Sequence, residues 1–214
     1  MKSRTIAAAI IGLAALGATA EAQASTLAVD APCYLENAPI SASGTGFTAG
    51  GPVNFSFDGQ LSASGNADPA GNIAQPLTAP ILPGTTLQHT FNLAAQDQTN
   101  PAAAATAPVT VTKLAATVKP QRAKPTRRVR FGIHGMAPGR TVWLHYVFHG
   151  KQRARVRMGK AKAPCGALTV RKRFFPIRRP AVGTWTFQFD ESKRYSKHSL
   201  PRIRGPVTIF RTFK

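Results

Sequence analysis

The sequence predicts an all-β protein made of two tandem β-sandwiches. Apolar residues alternate with polar ones in short runs along the chain, as at Val53, Phe55 and Phe57. Gly, Pro, Asn and Asp residues, which are typical of turns, separate these runs, and no segment shows the period of an amphipathic helix. Because a half-apolar sheet must cover its inner face with a second sheet, strands in units of about 90 residues favour one sandwich in each unit.

An internal repeat defines the two units. Residues 40–57 align with residues 129–146 without a gap, at an offset of 89 residues. Both copies contain an alternating strand, a glycine-based turn and the start of a second strand. Residues 68–72 and 163–167 then interrupt the chain before a further strand in each copy. A duplicated module is the simplest explanation of this pattern.

The elements between these landmarks follow from the turn residues. Residues 58–59 (Asp-Gly) predict a tight hairpin turn in the first module, because Gly supplies the positive φ that such a turn requires. Residues 149–150 (His-Gly) occupy the analogous place in the second module. We expect residues 111–118 to carry the last strand of the first module towards the second. Residues 119–126, with two prolines, predict a short and stiff connector.

Charge divides the chain in the same place. Residues 25–112 contain five acids and no Lys or Arg, whereas residues 113–214 contain 26 Lys and Arg and two acids, which gives net charges of −5 and +24. A contrast of this size indicates two domains with different partners. The predicted organisation is a signal peptide in residues 1–24, an acidic module in residues 25–112, a connecting strand and a linker rich in Pro, Lys and Arg in residues 113–126, and a strongly basic module in residues 127–214.

The first residues have the pattern of a secretory signal peptide. A short basic start with Lys2 and Arg4 precedes an apolar run over residues 5–18, and residues 22–24 (Ala-Gln-Ala) form a small-residue cleavage pattern. We expect cleavage after Ala24, because the apolar run is shorter than the roughly 20 residues that span a bilayer. No later run is long and apolar enough to span one. The mature chain is therefore expected to have no transmembrane span and to be secreted or associated with the cell envelope.

Two cysteines, Cys33 and Cys165, lie one in each charge half. An exported chain keeps a disulfide that the thiols of the cytosol would reduce, so the pair suits an oxidising compartment. A bridge would tie the two modules together, and it requires Cα atoms within about 7 Å. The sequence leaves a bridge and two separate thiols equally open. A metal or catalytic role is disfavoured, because no second cysteine and no histidine stands nearby at ligand spacing.

The turns resemble those of a known family. Residues 46–50 form a Gly-Phe-x-x-Gly turn between two strands, and residues 68–72 read Asp-x-x-Gly-Asn before another strand. This combination resembles the bacterial immunoglobulin-like repeats of exported surface proteins, over residues 28–112 and 114–213. The second copy keeps the turn as Gly-Met-Ala-Pro-Gly but has residues 163–167, with a cysteine, in place of Asp-x-x-Gly-Asn. The resemblance implies two tandem immunoglobulin-like β-sandwich domains, roles in adhesion, spacing or carbohydrate binding, and no catalytic residue set.

The sequence contains no recognisable catalytic or metal motif. Nucleophile-elbow, P-loop, zinc-protease and EF-hand patterns are absent, and no cofactor is expected. Asp190 and Glu191, the two acids of the basic half, would point to opposite faces of a strand and so would not act together. The acids of the first module stand singly at turn-like positions, where Asp serves backbone hydrogen bonding. A hydrolase would require a pocket that gathers His89 or His198 with a carboxylate and a hydroxyl.

The basic half carries the one functional signal. Arg153, Arg155 and Arg157 alternate with apolar residues, so a strand there presents three guanidinium groups on one face. Guanidinium groups match the geometry of phosphate and carboxylate, and an excess of one charge attracts polyanions at long range. The candidate anion-binding residues are Arg128, Arg130, Arg153, Arg155, Arg157, Arg171, Arg173, Arg178 and Arg179.

We therefore expect a non-catalytic, exported binding protein of the cell envelope. Its basic module would associate electrostatically with an anionic cell-wall polymer, an acidic polysaccharide or an anionic membrane surface. Genomic nucleic acid is not an expected partner, because the chain is exported and has no helix-turn-helix, zinc-finger or RNP signature. The alternative is a purely structural or spacer protein, with a solvated basic surface and no specific ligand. An exported hydrolase has the least support.

Overall fold

The computed structural model describes residues 24–210 of the 214-residue chain. The predicted signal peptide, apart from its last residue, lies outside the described residues. The described chain contains 15 strands in four sheets and no helix. Within it there is accordingly no helix with the length and hydropathy needed to cross a membrane.

Two sheets form the first module. Its strands are β1 (Thr26–Val29), β2 (Tyr34–Leu35), β3 (Pro39–Thr45), β4 (Pro52–Phe57), β5 (Gln60–Asn66), β6 (Ile73–Thr78), β7 (Gln88–Asp97) and β8 (Ala104–Thr112). Sheet A has the order β1-β3-β6, and sheet B has the order β2-β8-β7-β4-β5. All neighbours are antiparallel except β2 and β8, which are parallel.

The second module repeats this plan. Its strands are β9 (Ala115–Lys119), β10 (Arg128–His134), β11 (Thr141–Phe148), β12 (Lys151–Lys160), β13 (Leu168–Arg173), β14 (Gly183–Asp190) and β15 (Arg202–Ile209). Sheet C has the order β13-β10-β9, and sheet D has the order β12-β11-β14-β15. All of its strand pairs are antiparallel.

Each sandwich encloses its own apolar core. In the first module the inward positions of the strands, such as Val53 and Phe55, are buried, while the residues between them lie nearer solvent. The second core is more aromatic, with the rings of Tyr146, Phe175 and Phe187 packed 4.8 to 5.4 Å apart between centroids. The predicted all-β fold of two tandem immunoglobulin-like sandwiches is thus confirmed.

The two modules share one architecture, as the repeat predicts. β3 and β10 begin 89 residues apart, and so do β4 and β11. Gly71 and Gly166 occupy the same later turn, with φ of 78° and 63°. A Cβ at Gly71 would overlap the carbonyl oxygen of Phe47, and a Cβ at Gly166 would overlap that of Met136. Glycine is required in both turns because the backbone is left-handed there and a second backbone lies against it.

Carboxylates hold the Gly-Phe-x-x-Gly turn and its counterpart in place. The side chain of Asp97 accepts a hydrogen bond from the N–H of Thr48 at 2.6 Å, and Glu191 accepts one from the N–H of Ala137 at the same distance. Glu191 also lies 3.5 Å from Arg140. These acids are therefore part of the scaffold in both modules.

The predicted hairpin turns are confirmed. Asp58 and Gly59 join β4 to β5 with φ of 49° and 81°, and His149 and Gly150 join β11 to β12 with φ of 49° and 72°. Positive φ at both central residues is the signature of the type I′ turn, whose twist matches that of the flanking strands.

The chain and a disulfide join the modules. The expectation of a single strand over residues 111–118 is wrong, since β8 ends at Thr112 and β9 begins at Ala115 as an edge of sheet C. Cys33 and Cys165 form a disulfide with their Cα atoms 5.4 Å apart. Of the two alternatives that the sequence leaves open, the structure has the bridge. The sandwiches are held together both by the chain and by this bond.

Candidate anion-binding surfaces

Sheet C presents a cluster of cations on its outer face. The two-residue period of β10 directs Arg128 and Arg130 outward. Arg128 lies opposite Arg173 on β13, and Arg130 lies opposite Arg171. On the other side of β10, Arg130 lies opposite Lys119 at the end of β9. All five side chains are exposed. We call this cluster the basic face; it consists of Lys119, Arg128, Arg130, Arg171 and Arg173.

Like charges meet directly across the strands of the basic face. Residues that lie opposite one another in an antiparallel pair have Cβ atoms about 5 Å apart, and like charges there are destabilising. Neither acid of the second module relieves this repulsion, because Asp190 is buried in sheet D and Glu191 holds the turn at Ala137. An anion that lies across the face would therefore be attracted by several cations at once.

The surface next to these arginines is small and polar. Gly132 lies opposite Thr117 on β9 and Thr169 on β13. His134 follows on β10, and burial lowers the pKa of its imidazole below the usual value. The hydroxyl groups are hydrogen-bond donors, and that of Thr117 covers the buried backbone of Gly132.

The three arginines of β12 lie in a different place. Arg155 and Arg157 lie opposite His145 and Trp143 of β11 on the outer side of sheet D, whereas Arg153 falls in a β-bulge. The guanidinium carbon of Arg155 lies 5.1 Å from the ring centroid of Trp143, and its Nη1 donates a hydrogen bond to a backbone carbonyl. Arg155 is thus engaged within the protein, unlike the cations of the basic face.

The nine candidate arginines therefore do not form one surface. Arg178 and Arg179 are exposed in the connection between β13 and β14. The arginines of β12 lie on sheet D, whose outer side faces away from that of sheet C. The structure brings four of the candidates together on the basic face and adds Lys119, which the sequence places in a linker.

A buried polar cluster, which the sequence pattern does not predict, lies under residues 191–201. His145 and Asp190 are fully buried, and His145 Nε2 is 3.1 Å from Asp190 Oδ1. The carbonyl oxygen of Ser192 lies 3.0 Å from the same nitrogen, so Nε2 carries the proton between two acceptors. Gln188 and Ser199 donate hydrogen bonds to Asp190 Oδ2, both at 2.7 Å.

This cluster fastens the chain and does not resemble a hydrolytic site. Burial raises the pKa of Asp190, but hydrogen bonds from His145, Gln188 and Ser199 outweigh it and hold the pKa below its usual value of 3.8. The carboxylate lies between the imidazole and the hydroxyl, so the imidazole does not activate Ser199. The sequence does not predict this cluster, because His, Gln and Asp at outward positions of strands are usually exposed to solvent. No neighbouring residue indicates that a loop covers them.

His89 and His198 are both exposed and lie in different modules. His89 lies 3.6 Å from Asp58 at a half-exposed turn. Two grooves within residues 24–210 have volumes of about 1030 Å³ and 340 Å³, and neither of these is lined by histidine. Within the same residues, no group of three His, Cys, Asp or Glu side chains is arranged to hold a metal ion.

No protein-family model and no curated protein matches this sequence. Among solved structures, the human OSCAR ligand-binding domain is similar with a TM-score of 0.33 and 10% identity, over 86% of this chain and 97% of that one. A tetra-tandem repeat from the extending region of a large adhesion protein gives 0.29 and 14%, over 89% and 49%. Salmonella alpha-2-macroglobulin reacted with methylamine gives 0.30 and 14%, over 87% and 15%. This chain spans less than half of each of the last two, and at such TM-scores none of the three carries a functional argument.

Proposed function

We propose that this is an exported, non-catalytic binding protein whose second module attaches electrostatically to an anionic polymer outside the cytoplasm. The observation that carries the proposal is the basic face, in which five exposed cations lie in register across three strands. The sheet holds these like charges close together although they repel one another. Each directly opposed pair costs a few tenths of a kcal/mol. A bound polyanion would offset this repulsion, because its negative groups attract the same cations.

The chemistry of the basic face suits a linear polyanion. Five cations over three strands offer several contacts to a repeating chain of phosphate or carboxylate groups, and guanidinium groups bind either one through paired N–H donors. An anionic wall polymer and an acidic polysaccharide share this chemistry. An anionic membrane surface offers the same charges in a fluid plane, with about 1 kcal/mol for each basic residue near the headgroups. The polymer is favoured because the basic face has no exposed apolar side chain to insert among lipids.

The disulfide supports export. Cys165 is buried and bonded to Cys33, and such bonds persist in oxidising compartments. The same bond favours a second candidate function, that of a spacer. Two sandwiches joined by the chain and by a disulfide form a stiff unit, and a spacer needs no ligand.

Matched variants separate the basic face from net charge alone. The variant Arg128→Gln, Arg130→Gln, Arg171→Gln, Arg173→Gln removes four charges from the face. The control variant Arg153→Gln, Arg157→Gln, Arg178→Gln, Arg179→Gln removes four charges elsewhere. Binding to isolated envelope polymer is measured by co-sedimentation between about 50 and 300 mM NaCl. We expect the slope of log affinity against log salt to fall by about 3 to 4 in the face variant and to change little in the control.

Three outcomes would contradict the proposal. Equal losses in both variants would show that net charge alone drives the association. Tighter binding to vesicles of anionic lipid than to the polymer, at equal charge concentration, would identify a membrane surface as the partner. No binding of the unaltered protein at low salt would leave the spacer function.

A further inference from the structure

The first module closes one side of its sandwich with the short strand β2. Tyr34 and Leu35 pair in parallel with Val111 and Thr112 at the end of β8. The ring of Tyr34 is buried between the sheets, and its hydroxyl donates a hydrogen bond of 2.7 Å to Asp30. Burial, together with this contact, raises the pKa of Tyr34 to about 12. β2 therefore supplies both a strand edge and a side chain that fills the core.

In the described part of the second module, the partner strand for such a segment is present but the segment itself is not. Residues 108–111 of β8 read Pro-Val-Thr-Val, and residues 206–209 of β15 read Pro-Val-Thr-Ile. β8 pairs with β7 in sheet B, and β15 pairs with the corresponding strand β14 in sheet D. β8 and β15 therefore occupy equivalent positions in the two modules. Within the described part of the chain, β15 has no strand on its other side.

The chain that could have formed such a strand runs elsewhere. Between β9 and β10, the carbonyl groups of Pro125 and Arg127 accept hydrogen bonds from the N–H groups of Phe175 and Phe174. Residues 125–127 are therefore fastened to the segment that follows β13, and residues 121–123 line the groove beside β15 without pairing with it.

An open groove of about 1030 Å³ occupies the place that corresponds to β2. It lies between β9 and β15. Val118, Phe174, Val207 and Ile209 give it an apolar floor, and Lys119 and Arg122 add positive charge at its rim. Phe210, beside it, is 82% exposed. Large apolar surface that is left open beside an unpaired strand is the usual form of a site that accepts a strand.

The hydrogen-bonding pattern of β15 fits this interpretation. Pro206 has no N–H, so it occupies a position on β15 whose backbone polar groups face away from β14 and toward the groove. Because alternate residues of a strand direct their polar groups to the same side, Thr208 directs its N–H and carbonyl toward the groove. In the first module the carbonyl of Thr112, on the equivalent side of β8, accepts the N–H of Glu36 at the end of β2.

We infer that this groove accepts one extended, acidic polypeptide segment, which adds as a parallel strand to β15 and inserts a large apolar side chain beside Ile209. The first module has the same arrangement within its own chain, since Tyr34 of β2 lies beside Val111 of the parallel strand β8. Charge complementarity indicates the flanking residues, since acids beside the inserted side chain would meet Lys119 and Arg122. Lys119 belongs to both sites, but the inference does not depend on the four arginines of the basic face or on the proposed function.

A peptide with the sequence of β2 is the probe. It consists of residues 30–36 with the substitution Cys33→Ser, carries a fluorophore, and is acidic at both ends. Its binding to the full chain, with the disulfide intact, is measured by fluorescence anisotropy. We expect saturable binding. A peptide in which Tyr34 is replaced by Ala, and a scrambled peptide of the same composition, should each bind at least about tenfold more weakly, because each loses the inserted ring or its position.

Two protein variants test the strand pairing. Thr208→Pro removes the N–H that faces the groove on an exposed edge, where Pro is tolerated. It should weaken binding about tenfold, whereas Thr208→Ala, which keeps the N–H, should bind within about twofold of the unaltered protein. Far-UV circular dichroism and hydrogen exchange of β14 check that Thr208→Pro is folded. The four-arginine variant of the basic face should bind the peptide normally, which distinguishes this site from the proposed polymer site.

Several results would overturn the inference. Equal binding of the scrambled peptide, or unchanged binding by a folded Thr208→Pro variant, would show that the peptide is held by charge alone. Binding that appears only after removal of residues 211–214 would show that the groove is covered by the chain's own carboxyl terminus. Absence of binding to both forms would show that the groove accepts no strand of this chemistry.

Discussion

Asp97 provides a sharp test of how the first module is stabilised. Its side chain is buried, and Oδ2 accepts the N–H of Thr48 at 2.6 Å. Oδ1 accepts the N–H groups of Thr99 and Asn100 at 2.8 and 3.0 Å. One carboxylate thus connects the turn after β3 to the loop after β7. In the variant Asp97→Asn an NH₂ group replaces one oxygen and faces a backbone donor, so a hydrogen bond is lost and a repulsive contact is created.

The pKa of Asp97 determines how much its charged carboxylate stabilises the fold. Burial raises this pKa, but the hydrogen bonds from Thr48, Asn100 and Thr99 outweigh it and lower the pKa from 3.8 to about 2. One pKa unit corresponds to about 1.4 kcal/mol, so the charged form stabilises the fold by about 2 kcal/mol. Because the folded pKa is the lower one, this stabilisation is complete above about pH 4 and is lost as the pH falls to about 2.

The assay is urea unfolding of the full chain at pH 7, 4 and 2, followed by far-UV circular dichroism. We expect Asp97→Asn to lower the free energy of unfolding by about 2 to 4 kcal/mol at pH 7. The difference from the unaltered protein should shrink by about 2 kcal/mol at pH 2. Hydrogen exchange of β3 and β4 assigns the loss to the first module.

Asp58→Asn is the matched control for this experiment. It makes the same change of charge at a half-exposed turn, where the positive φ of 49° suits Asn. Asp58 Oδ1 accepts the N–H of Asn92, and the amide oxygen of Asn accepts the same bond, so the effect should stay within about 0.5 kcal/mol. The reasoning fails if the two variants are equally stable at pH 7. It also fails if the deficit of Asp97→Asn is the same at pH 2 as at pH 7.

Two further predictions concern the links within and between the modules. Replacement of Cys33 and Cys165 by Ser opens a loop with a sequence separation of 132 residues, and chain entropy sets the resulting loss of stability at up to about 5 kcal/mol. Calorimetry should show a lower melting temperature than for the oxidised protein, and an unchanged value would contradict a stabilising role for the bridge. Asp190→Asn should expose residues 191–201 to trypsin several-fold more than Ser199→Ala, which removes one of the donors to that carboxylate. Equal cleavage rates in the two variants would show that the buried cluster does not fasten this segment.

The fold is predictable from the sequence because its signals are local. The alternation of Val53, Phe55 and Phe57 sets which face of β4 is buried, and neighbouring residues alone determine it. The turns at Asp58 and at Gly71 likewise follow from the backbone conformation that these residue types allow. Local signals repeat when a module is duplicated, so the offset of 89 residues predicts both sandwiches at once.

The surface is less predictable because its arrangement depends on pairing between distant strands. The sequence shows that Arg128 and Arg130 share a face, but the register of β10 with β13 is what brings Arg171 and Arg173 opposite them. Lys119 joins the group because β9 pairs with β10, a contact that the linker assignment does not anticipate. Loops hide other residues by the same kind of distant contact, as in the burial of His145.

The distribution of the acids explains why the positive charge remains available. Each carboxylate in residues 24–210 accepts at least one backbone N–H hydrogen bond. These acids are Asp30, Glu36, Asp58, Asp68, Asp97, Asp190 and Glu191. Their oxygens are committed to turns and loops, and among the described Lys and Arg residues, Lys113 and Arg140 are the two that form ion pairs with them.

Because the chain uses its few acids as scaffold, most of its described cations have no carboxylate partner. Solubility alone requires a modest net charge, of either sign and in any arrangement. It does not require cations to lie directly opposite one another, as Arg128 and Arg173 do, where their repulsion lowers stability. The register of the basic face therefore lowers the stability of the fold, and a bound external anion would offset this loss. For this reason the position of the charges, more than their number, supports binding over spacing.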